Sequence, residues 1–331
     1  MPQPWKIYEL LLDQVNTHLS DFSLESVNIG LTWTLSRLNS PQGIASGLSM
    51  SPAQYTRTLP WSGELRNYSL DKLCNWIRGW DNFESVVAQS VINAIINYEK
   101  SSLLAAAVPV SAELSESPNL TVFKYFLPYL QNKKIVVIGH YPGIEQLQSC
   151  LDLTVLERVP RENDLPDNAC EYIIPEADWV FITASAIANK TFPRLAELAK
   201  NAVTVLMGPS VPWLTEFREF GIDFLAGIKI CDAKDLQSTV AEGGGVRIFG
   251  KAVQYHILDI GNIHLHDLKK QIAQLFAQRE DLKSEMESWY QQNTSGTIKR
   301  FPKWKLLEQT ERELSLADIR FKRQWDARNS S

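Results

Sequence analysis

A series of short apolar segments, most of them followed by a helix-like segment, constrains the fold of this chain more than any other feature. From about Thr121 onward, the predicted strands are Ile135–Ile138, Leu153–Leu156, Trp179–Thr183, Val203–Met207 and Phe224–Ala226. Helices are predicted at Ile144–Cys150, Thr191–Lys200 and Trp213–Phe220. Alternation of this kind is typical of a parallel sheet covered by helices on both faces. The pattern therefore predicts an α/β, Rossmann-like domain.

The preceding part of the chain has a different pattern, which predicts a separate α+β domain. An amphipathic helix over Trp5–Leu19 comes first, and the segments Ser26–Leu38 and Gly43–Met50 are predicted to form two antiparallel strands. Two helices are expected at Asp71–Trp80 and Asn82–Lys100. The Ser-, Glu- and Pro-rich segment 111–118 is predicted to link the domains. The predicted boundaries are 1–118, 119–261 and, for a C-terminal helical extension, 262–331.

The extension shows a seven-residue apolar repeat. Leu268, Leu275, Leu282 and Trp289 share one helical stripe, and Arg279 interrupts the alternate positions occupied by Ile272 and Met286. Because one isolated helix cannot bury such a stripe, it must pack on the body, on a second helix at Leu314–Trp325, or on another subunit. An unpaired charge in a long two-stranded coil is costly. We therefore expect packing within the chain against Leu314, Phe321 and Trp325, with a homo-oligomer as the alternative.

Composition narrows the classes of partner. The net charge of −5 gives no reason to expect nucleic acid, although Lys299–Lys305 forms a short basic and aromatic run. No apolar run reaches membrane-spanning length, and no secretory signal opens the chain. The four cysteines are widely spaced without a CxxC pair, which favours reduced thiols in the cytoplasm.

The segment Lys133–Glu145 holds the main candidate site. It predicts a buried strand, a turn at Gly139 and a helix that opens near Pro142, and ligands bind at the carboxyl ends of such strands. His140 would lie at that edge, beside the N–H groups of the next helix. The turn lacks the three glycines of a dinucleotide fingerprint and the Gly-Lys-Ser/Thr ending of a phosphate-binding loop.

Glu157 is the carboxylate that the spacing associates with His140. It ends the next predicted strand, 18 residues beyond Gly139, which is also the spacing of a ribose-binding acid. A histidine and a carboxylate at one edge can bind a divalent transition metal such as Zn²⁺, Co²⁺ or Ni²⁺. The same pair could instead orient the imidazole for proton transfer. Metal ligation by His140 and Glu157 and acid–base chemistry both stay open at this point.

Two further turns follow predicted strands and carry polar groups. Thr183–Thr191 offers hydroxyls and an amide, beyond what capping the next helix requires. Gly208–Pro212 is a turn made rigid by two prolines, in which Ser210 could contact an anion. No nucleophile motif is present, which argues against hydrolysis through a covalent intermediate. The candidate ligand-binding residues are Tyr141, Gly143, Thr183, Ser185, Asn189, Lys190, Thr191, Gly208, Pro209 and Ser210.

These motifs resemble the "putative heavy-metal chelation" family. The resemblance lies in Gly139–Glu145, Leu156–Glu157, Glu171–Pro175, Ala177–Thr183, Asn189–Arg194 and Gly208–Pro209, and in the first half in Gly30–Thr32, Gly43–Pro52 and Trp80–Glu84 with Asn93–Ala94. It covers roughly residues 5–250 and implies an enolase-N-terminal-like domain joined to a Rossmann-like domain. The extension from about Asn262 has no counterpart in it.

The resemblance implies a function as well as a fold. It implies chelation of a heavy metal, or binding of a small anionic metal-chelating ligand, in a cleft between the domains, in the context of metal-cofactor metabolism. His140, Tyr141, Glu157, Thr183, Lys190 and Thr191 fall on matching motif positions. The alternative from the residues alone is a non-catalytic module that binds a small molecule or nucleotide and acts through its helical extension.

Overall fold

The computed structural model describes residues 5–52, 58–110, 117–293 and 300–329, without the side chains of 262–264, 266, 267, 323, 324 and 326–329. The strands are β1 Ser23–Ile29, β2 Trp33–Ser40, β3 Gly43–Met50, β4 Val108–Val110, β5 Ile135–Ile138, β6 Leu153–Glu157, β7 Leu165–Pro166, β8 Trp179–Thr183, β9 Val203–Met207, β10 Phe224–Ile230 and β11 Val253–Asp259. The helices are α1 Lys6–Asn16, α2 Leu70–Asn75, α3 Asn82–Glu99, α4 Ser101–Ala106, α5 Pro118–Leu130, α6 Glu145–Gln148, α7 Cys170–Ile173, α8 Ser185–Ala188, α9 Phe192–Leu198, α10 Ala233–Ala241, α11 Gly261–Gln292 and α12 Trp304–Asn329. Most of the predicted link, residues 111–116, lies outside the described residues.

The larger sheet has eight strands in the order β4-β11-β10-β9-β8-β5-β6-β7. The strands from β5 to β10 pair in parallel, while β11 is antiparallel to β10 and to β4. All four residues of β5 and all five of β9 are buried, as expected for strands covered on both faces. The five predicted strands are confirmed, and the mixed sheet is dominated by parallel pairing.

The smaller sheet is antiparallel, in the order β1-β2-β3. The prediction of one strand over Ser26–Leu38 is wrong, because a turn at Gly30 divides that segment into β1 and β2. The Gly30 N–H donates to the Trp33 carbonyl at 3.0 Å, which closes the turn. A Cβ at Gly30 would lie 2.5 Å from the Val240 carbonyl oxygen. The helix α10 therefore approaches the turn too closely for any other residue.

Three predicted helices are shorter than expected. The segment Ile144–Cys150 contributes only α6, and Thr191–Lys200 contributes α9. Trp213–Phe220 contains a 3₁₀ turn at Thr215–Phe220 in place of an α-helix. Pro142 precedes α6, Pro212 precedes the 3₁₀ turn and Pro193 lies in the first turn of α9, and a proline has no backbone N–H to donate.

The two C-terminal helices, α11 and α12, pack against each other and together form the arm. Leu275, Leu314 and Ala317 are buried in one cluster, with Ile272 packed against it. Nearer the base of the arm, the Lys269 ammonium lies 5.4 Å and 5.1 Å from the ring centroids of Phe321 and Trp325. The predicted packing of the repeat on a second helix of the same chain is present. Among the described residues, no helix is both long and apolar enough to cross a membrane.

The arm leaves the sheet on the side away from the carboxyl ends of the parallel strands. Asp259, the last residue of β11, pairs with Phe224, the first residue of β10. Helix α11 begins two residues later. Because β10 runs parallel to β9, this point lies at the amino ends of those strands.

Candidate functional site

The carboxyl ends of β5, β8 and β9 bring three predicted turns together, and we call this region the carboxyl edge. Tyr141, in the turn after β5, donates from its hydroxyl to the Met207 carbonyl at the end of β9, at 3.3 Å. The side chain of Thr183, at the end of β8, lies beside the same hydroxyl. A Cβ on Gly208 would lie 4.0 Å from the Tyr141 hydroxyl oxygen. The expected clustering of the His140, Thr183 and Gly208 turns at one edge is therefore confirmed.

Gly139 and Gly208 let these turns approach one another. Their φ angles are +97° and +126°, in a region that residues other than glycine rarely adopt. A Cβ at Gly139 would already contact the Thr183 side chain at 3.5 Å. Gly143 also has a positive φ, of +90°, but it lies against Leu120 of α5.

Two acidic side chains fix His140 by hydrogen bonds, one to its backbone N–H and one to a ring nitrogen. Its backbone N–H donates to Glu157 Oε2 at 2.8 Å, and its Nδ1 lies 2.9 Å and 3.1 Å from the two oxygens of Asp164. Only 5% of the His140 side chain and 1% of the Asp164 side chain are exposed. Because an ionised carboxylate only accepts hydrogen bonds, this pairing places a proton on Nδ1, and in the neutral form of the ring Nε2 is then the acceptor.

The Nε2 side of the ring faces charged groups near the surface. Glu145 Oε1 lies 3.0 Å from Nε2, and Arg161 Nη1 lies 2.9 Å from it. Arg161 is 63% exposed and Glu145 50% exposed. The pKa of Glu145 lies below its ordinary value, first because its own backbone N–H donates to it, and further because of His140 and Arg161. We call His140, Glu145, Arg161 and Asp164 the histidine cluster.

Asp164 was not among the residues expected from the sequence. It lies in the loop between β6 and β7, and its carboxylate also accepts the Arg161 N–H at 3.0 Å. The Asp164 N–H in turn donates to the Arg161 carbonyl at 3.0 Å. This reciprocal pair closes a tight turn and places both side chains beside His140. The sequence signal for this turn was an acidic residue, Asp164, three positions after Arg161 in a loop that also contains Pro160.

Glu157 has backbone partners in this structure. Its Oε2 accepts the His140 N–H, and its Oε1 accepts the Arg158 N–H at 2.7 Å. The carboxylate therefore holds the His140 turn against the end of β6. In the histidine cluster it is Glu145 that contacts the imidazole ring from the solvent side.

Tyr141, Thr183 and Ser185 form a hydroxyl cluster on the adjoining part of the carboxyl edge. Thr183 Oγ1 and Ser185 Oγ lie 3.0 Å apart. Burial raises the pKa of the Tyr141 hydroxyl well above its usual range, so it stays protonated and can act as a donor. Thr183 and Ser185 are half-buried, which keeps both hydroxyls within reach of a ligand.

Asn189, Lys190 and Thr191 bind to their own turn and to the first part of the chain. Asn189 Oδ1 accepts from the Thr191 N–H at 3.1 Å and from its hydroxyl at 2.6 Å. Lys190 donates from Nζ to the Ile77 carbonyl and lies 4.7 Å from the Tyr8 ring centroid. Burial lowers the pKa of Lys190 to about 8. In these contacts Lys190 joins the α8–α9 turn to α1 and to the residues after α2.

The turn at Gly208, Pro209 and Ser210 is held by α3. The Ser210 carbonyl accepts from Gln89 Nε2 at 3.1 Å and from Asn93 Nδ2 at 2.9 Å. Gln89 Nε2 also donates to the Ala184 carbonyl at 3.1 Å. Both amides are fully buried, and neither was expected from the sequence. Their signal in the sequence was two amide side chains four residues apart in a mostly apolar segment of α3.

The histidine cluster contains two atoms of types that bind divalent metals, His140 Nε2 and Glu145 Oε1. Two ligand atoms about 2.1 Å from one metal ion lie about 3.0 Å apart at octahedral angles and about 3.4 Å apart at tetrahedral angles, and His140 Nε2 and Glu145 Oε1 are separated by 3.0 Å. A buried carboxylate on the other ring nitrogen is the usual support for a metal-binding histidine. Among the described residues, no group of three or more His, Cys, Asp and Glu could hold a metal ion. Any further ligands must come from water or from the bound molecule.

Two family profiles match separate parts of the chain. A family profile described as "putative heavy-metal chelation" matches residues 121–259, and a second profile with the same description matches residues 8–96. An uncharacterised protein of Methanocaldococcus jannaschii is 26% identical over 240 residues, which cover 69% of this chain and 86% of that protein.

Two solved structures share the fold. A DUF364-family protein of unknown function from Desulfitobacterium hafniense is 29% identical, with a TM-score of 0.63 over 78% of this chain and 99% of its own. A DUF364-family protein of unknown function from Pyrococcus horikoshii is 20% identical, with a TM-score of 0.60 over 77% and 98%, and shows the fold alone. Residues 121–259 thus match the DUF364 family and residues 8–96 the DUF4213 family, and both carry the description "putative heavy-metal chelation".

Proposed function

We propose that this protein binds a divalent heavy metal through His140 Nε2 and Glu145, with Asp164 holding the imidazole. The observation that carries the proposal is the arrangement around the ring. A buried carboxylate occupies Nδ1, while Nε2 faces an exposed carboxylate oxygen at 3.0 Å. Imidazole and carboxylate together suit borderline divalent ions such as Zn²⁺, Co²⁺ and Ni²⁺.

The rest of the carboxyl edge supports a ligand larger than a bare ion. The hydroxyl cluster follows His140 directly through Tyr141, and α3 of the first part of the chain covers the neighbouring turns through Gln89 and Asn93. In a complex of a metal with a small anionic ligand, the metal would therefore bind at His140. The organic part of the complex would contact the hydroxyls of Thr183 and Ser185. In this proposal Glu157, the ligand expected from the sequence, positions the His140 backbone and does not bind the metal directly.

Calorimetric titration with Co²⁺, Ni²⁺ and Zn²⁺ tests the metal site. Wild type should bind, and His140→Ala should bind at least about tenfold more weakly, because the imidazole nitrogen is lost. His18→Ala is the matched control, since His18 also faces a carboxylate, Glu99 at 3.6 Å, but is 38% exposed. Equal binding by wild type and His140→Ala, or no binding by either, rejects the proposal.

A further inference from the structure

Arg161 occupies the place beside His140 that a metal would need. Its Nη1 lies 2.9 Å from Nε2, within hydrogen-bond distance, and Nε2 accepts this bond when the ring is neutral. The same Nη1 lies 3.7 Å from Glu145 Oε1. The guanidinium therefore contacts both proposed metal ligands at once. A metal can bind there only after this cation moves.

The displaced guanidinium would stay close to the bound metal. The Arg161 backbone is fixed, since its N–H and its carbonyl both bond with Asp164. Its side chain is mostly exposed and can turn outward. Because a bare divalent cation and a guanidinium repel each other, this neighbour weakens the binding of a free metal ion relative to that of an anionic complex. It favours a complex whose own ligands carry negative charge, which a planar guanidinium binds well.

We propose that the ligand recognised at His140 is an anionic metal chelate, with Arg161 as the residue that selects it. This inference rests on the proposed function and names its substrate class. The metal takes His140 and Glu145 as protein ligands, and carboxylate or phosphate oxygens of the chelator bind the released Arg161. The histidine cluster offers two protein ligand atoms, His140 Nε2 and Glu145 Oε1, and the chelator would supply the remaining ones.

Arg158 offers a control on the same loop. Its Nε lies 3.7 Å from Asp167, and it is 49% exposed. Its backbone N–H bonds with Glu157, a contact that a side-chain substitution does not remove. Arg161→Gln and Arg158→Gln therefore remove the same charge from neighbouring positions. Only Arg161→Gln removes the contact with Nε2.

Calorimetric titration with a matched pair of nickel complexes tests the inference. Nickel nitrilotriacetate is anionic and nickel triethylenetetramine is cationic, and both leave adjacent coordination positions free. Arg161→Gln should weaken binding of the anionic complex about fivefold and strengthen binding of the cationic one about fivefold. Arg158→Gln should change both affinities much less.

The outcomes separate the inference from the metal site itself. If both complexes bind wild type and lose affinity in His140→Ala, but Arg161→Gln shifts both in the same direction or neither, selection by Arg161 is wrong and the metal site stands. Equal effects of Arg158→Gln and Arg161→Gln would also overturn it, since they would show a long-range charge effect. If neither complex binds wild type, the proposed function and the inference both fail.

Discussion

Asp164 decides which nitrogen of His140 can act as a ligand. Its buried carboxylate accepts a hydrogen bond from Nδ1, so in the neutral imidazole the free electron pair lies on Nε2. The carboxylate also fixes the ring plane and raises the basicity of the other nitrogen. A substitution of Asp164 should therefore change the affinity for the metal, although Asp164 is not itself a ligand.

Asp164→Asn should lower the affinity for Co²⁺ about 10- to 100-fold, because a neutral amide supports the imidazole less well. Asp167→Asn is the control, since Asp167 lies on the same chain segment but is 54% exposed and pairs only with Arg158 in the contacts described. Titration calorimetry gives both affinities. A similar loss in the two variants would show that net charge, rather than the orientation of His140, explains the effect.

Lys190 should make stability depend on pH. Its folded-state pKa of about 8 is below the ordinary value of 10.5, because burial disfavours the ammonium. Between these values the unfolded chain holds a proton that the folded chain has lost, so this residue's contribution to the free energy of unfolding rises with pH.

Lys190→Met tests that contribution. The stability of wild type relative to this variant should increase as the pH is raised from about 8 to 10.5, and should be constant at lower pH. Urea unfolding at several pH values gives the free energy of unfolding of both proteins. The contributions of the tyrosines and cysteines, which are present in both, cancel in the difference. A difference that stays flat or falls across this window contradicts the assignment.

At the scale of elements, the buried stripe holds the arm together. Leu275 is 9% exposed and packs with Leu314 and Ala317. Arg279, which interrupts the repeat, turns to the surface, where its guanidinium lies 4.5 Å from the Phe276 ring centroid and its Nη2 lies 2.9 Å from Glu280. The charge therefore does not enter the seam between the helices.

Leu275→Ala should destabilise the arm by about 2–3 kcal/mol, through lost burial and the cavity left behind. Leu316→Ala on α12 is the matched control, because Leu316 is 46% exposed and should change stability by less than about 0.5 kcal/mol. Hydrogen exchange of the α11 and α12 amides locates the effect. Equal loss of protection from hydrogen exchange in the two variants would contradict the claim that the buried contacts of Leu275 hold α11 and α12 together.

The elements that local pattern determines were predictable, and those that depend on distant neighbours were not. Continuous apolar runs such as Ile135–Ile138 are typical of buried parallel strands, and they form them. The break at Gly30 depends on the approach of Val240 from α10, far along the chain. The role of Asp164 likewise depends on a loop that folds back on His140. Sequence spacing identified His140, but its ring partners come from the tertiary fold.

At the scale of the whole molecule, α3 joins the small sheet to the carboxyl edge. Gln89 accepts from the Ser49 hydroxyl at 3.0 Å while its amide donates to the Ala184 and Ser210 carbonyls. One fully buried side chain thus connects β3, α3 and two turns of the site. The arm leaves from the amino ends of the strands, so it lies away from this connection.

Gln89→Leu should lower the free energy of unfolding by about 2–3 kcal/mol, because it leaves buried hydrogen-bonding groups without their partner. Gln146→Leu is the control, since Gln146 is exposed on α6. Urea denaturation of both variants measures the difference. A loss no larger than that of the control would mean that the buried amide does not connect the two sheets energetically.

Anomalous X-ray diffraction from crystals soaked in Co²⁺ tests the central claim most directly, because it locates the metal itself. We predict an anomalous peak about 2.1 Å from both His140 Nε2 and Glu145, with the Arg161 side chain turned away. The peak should be absent from crystals of His140→Ala. No peak at the histidine cluster in wild type, or a peak there that persists in His140→Ala, would contradict the account.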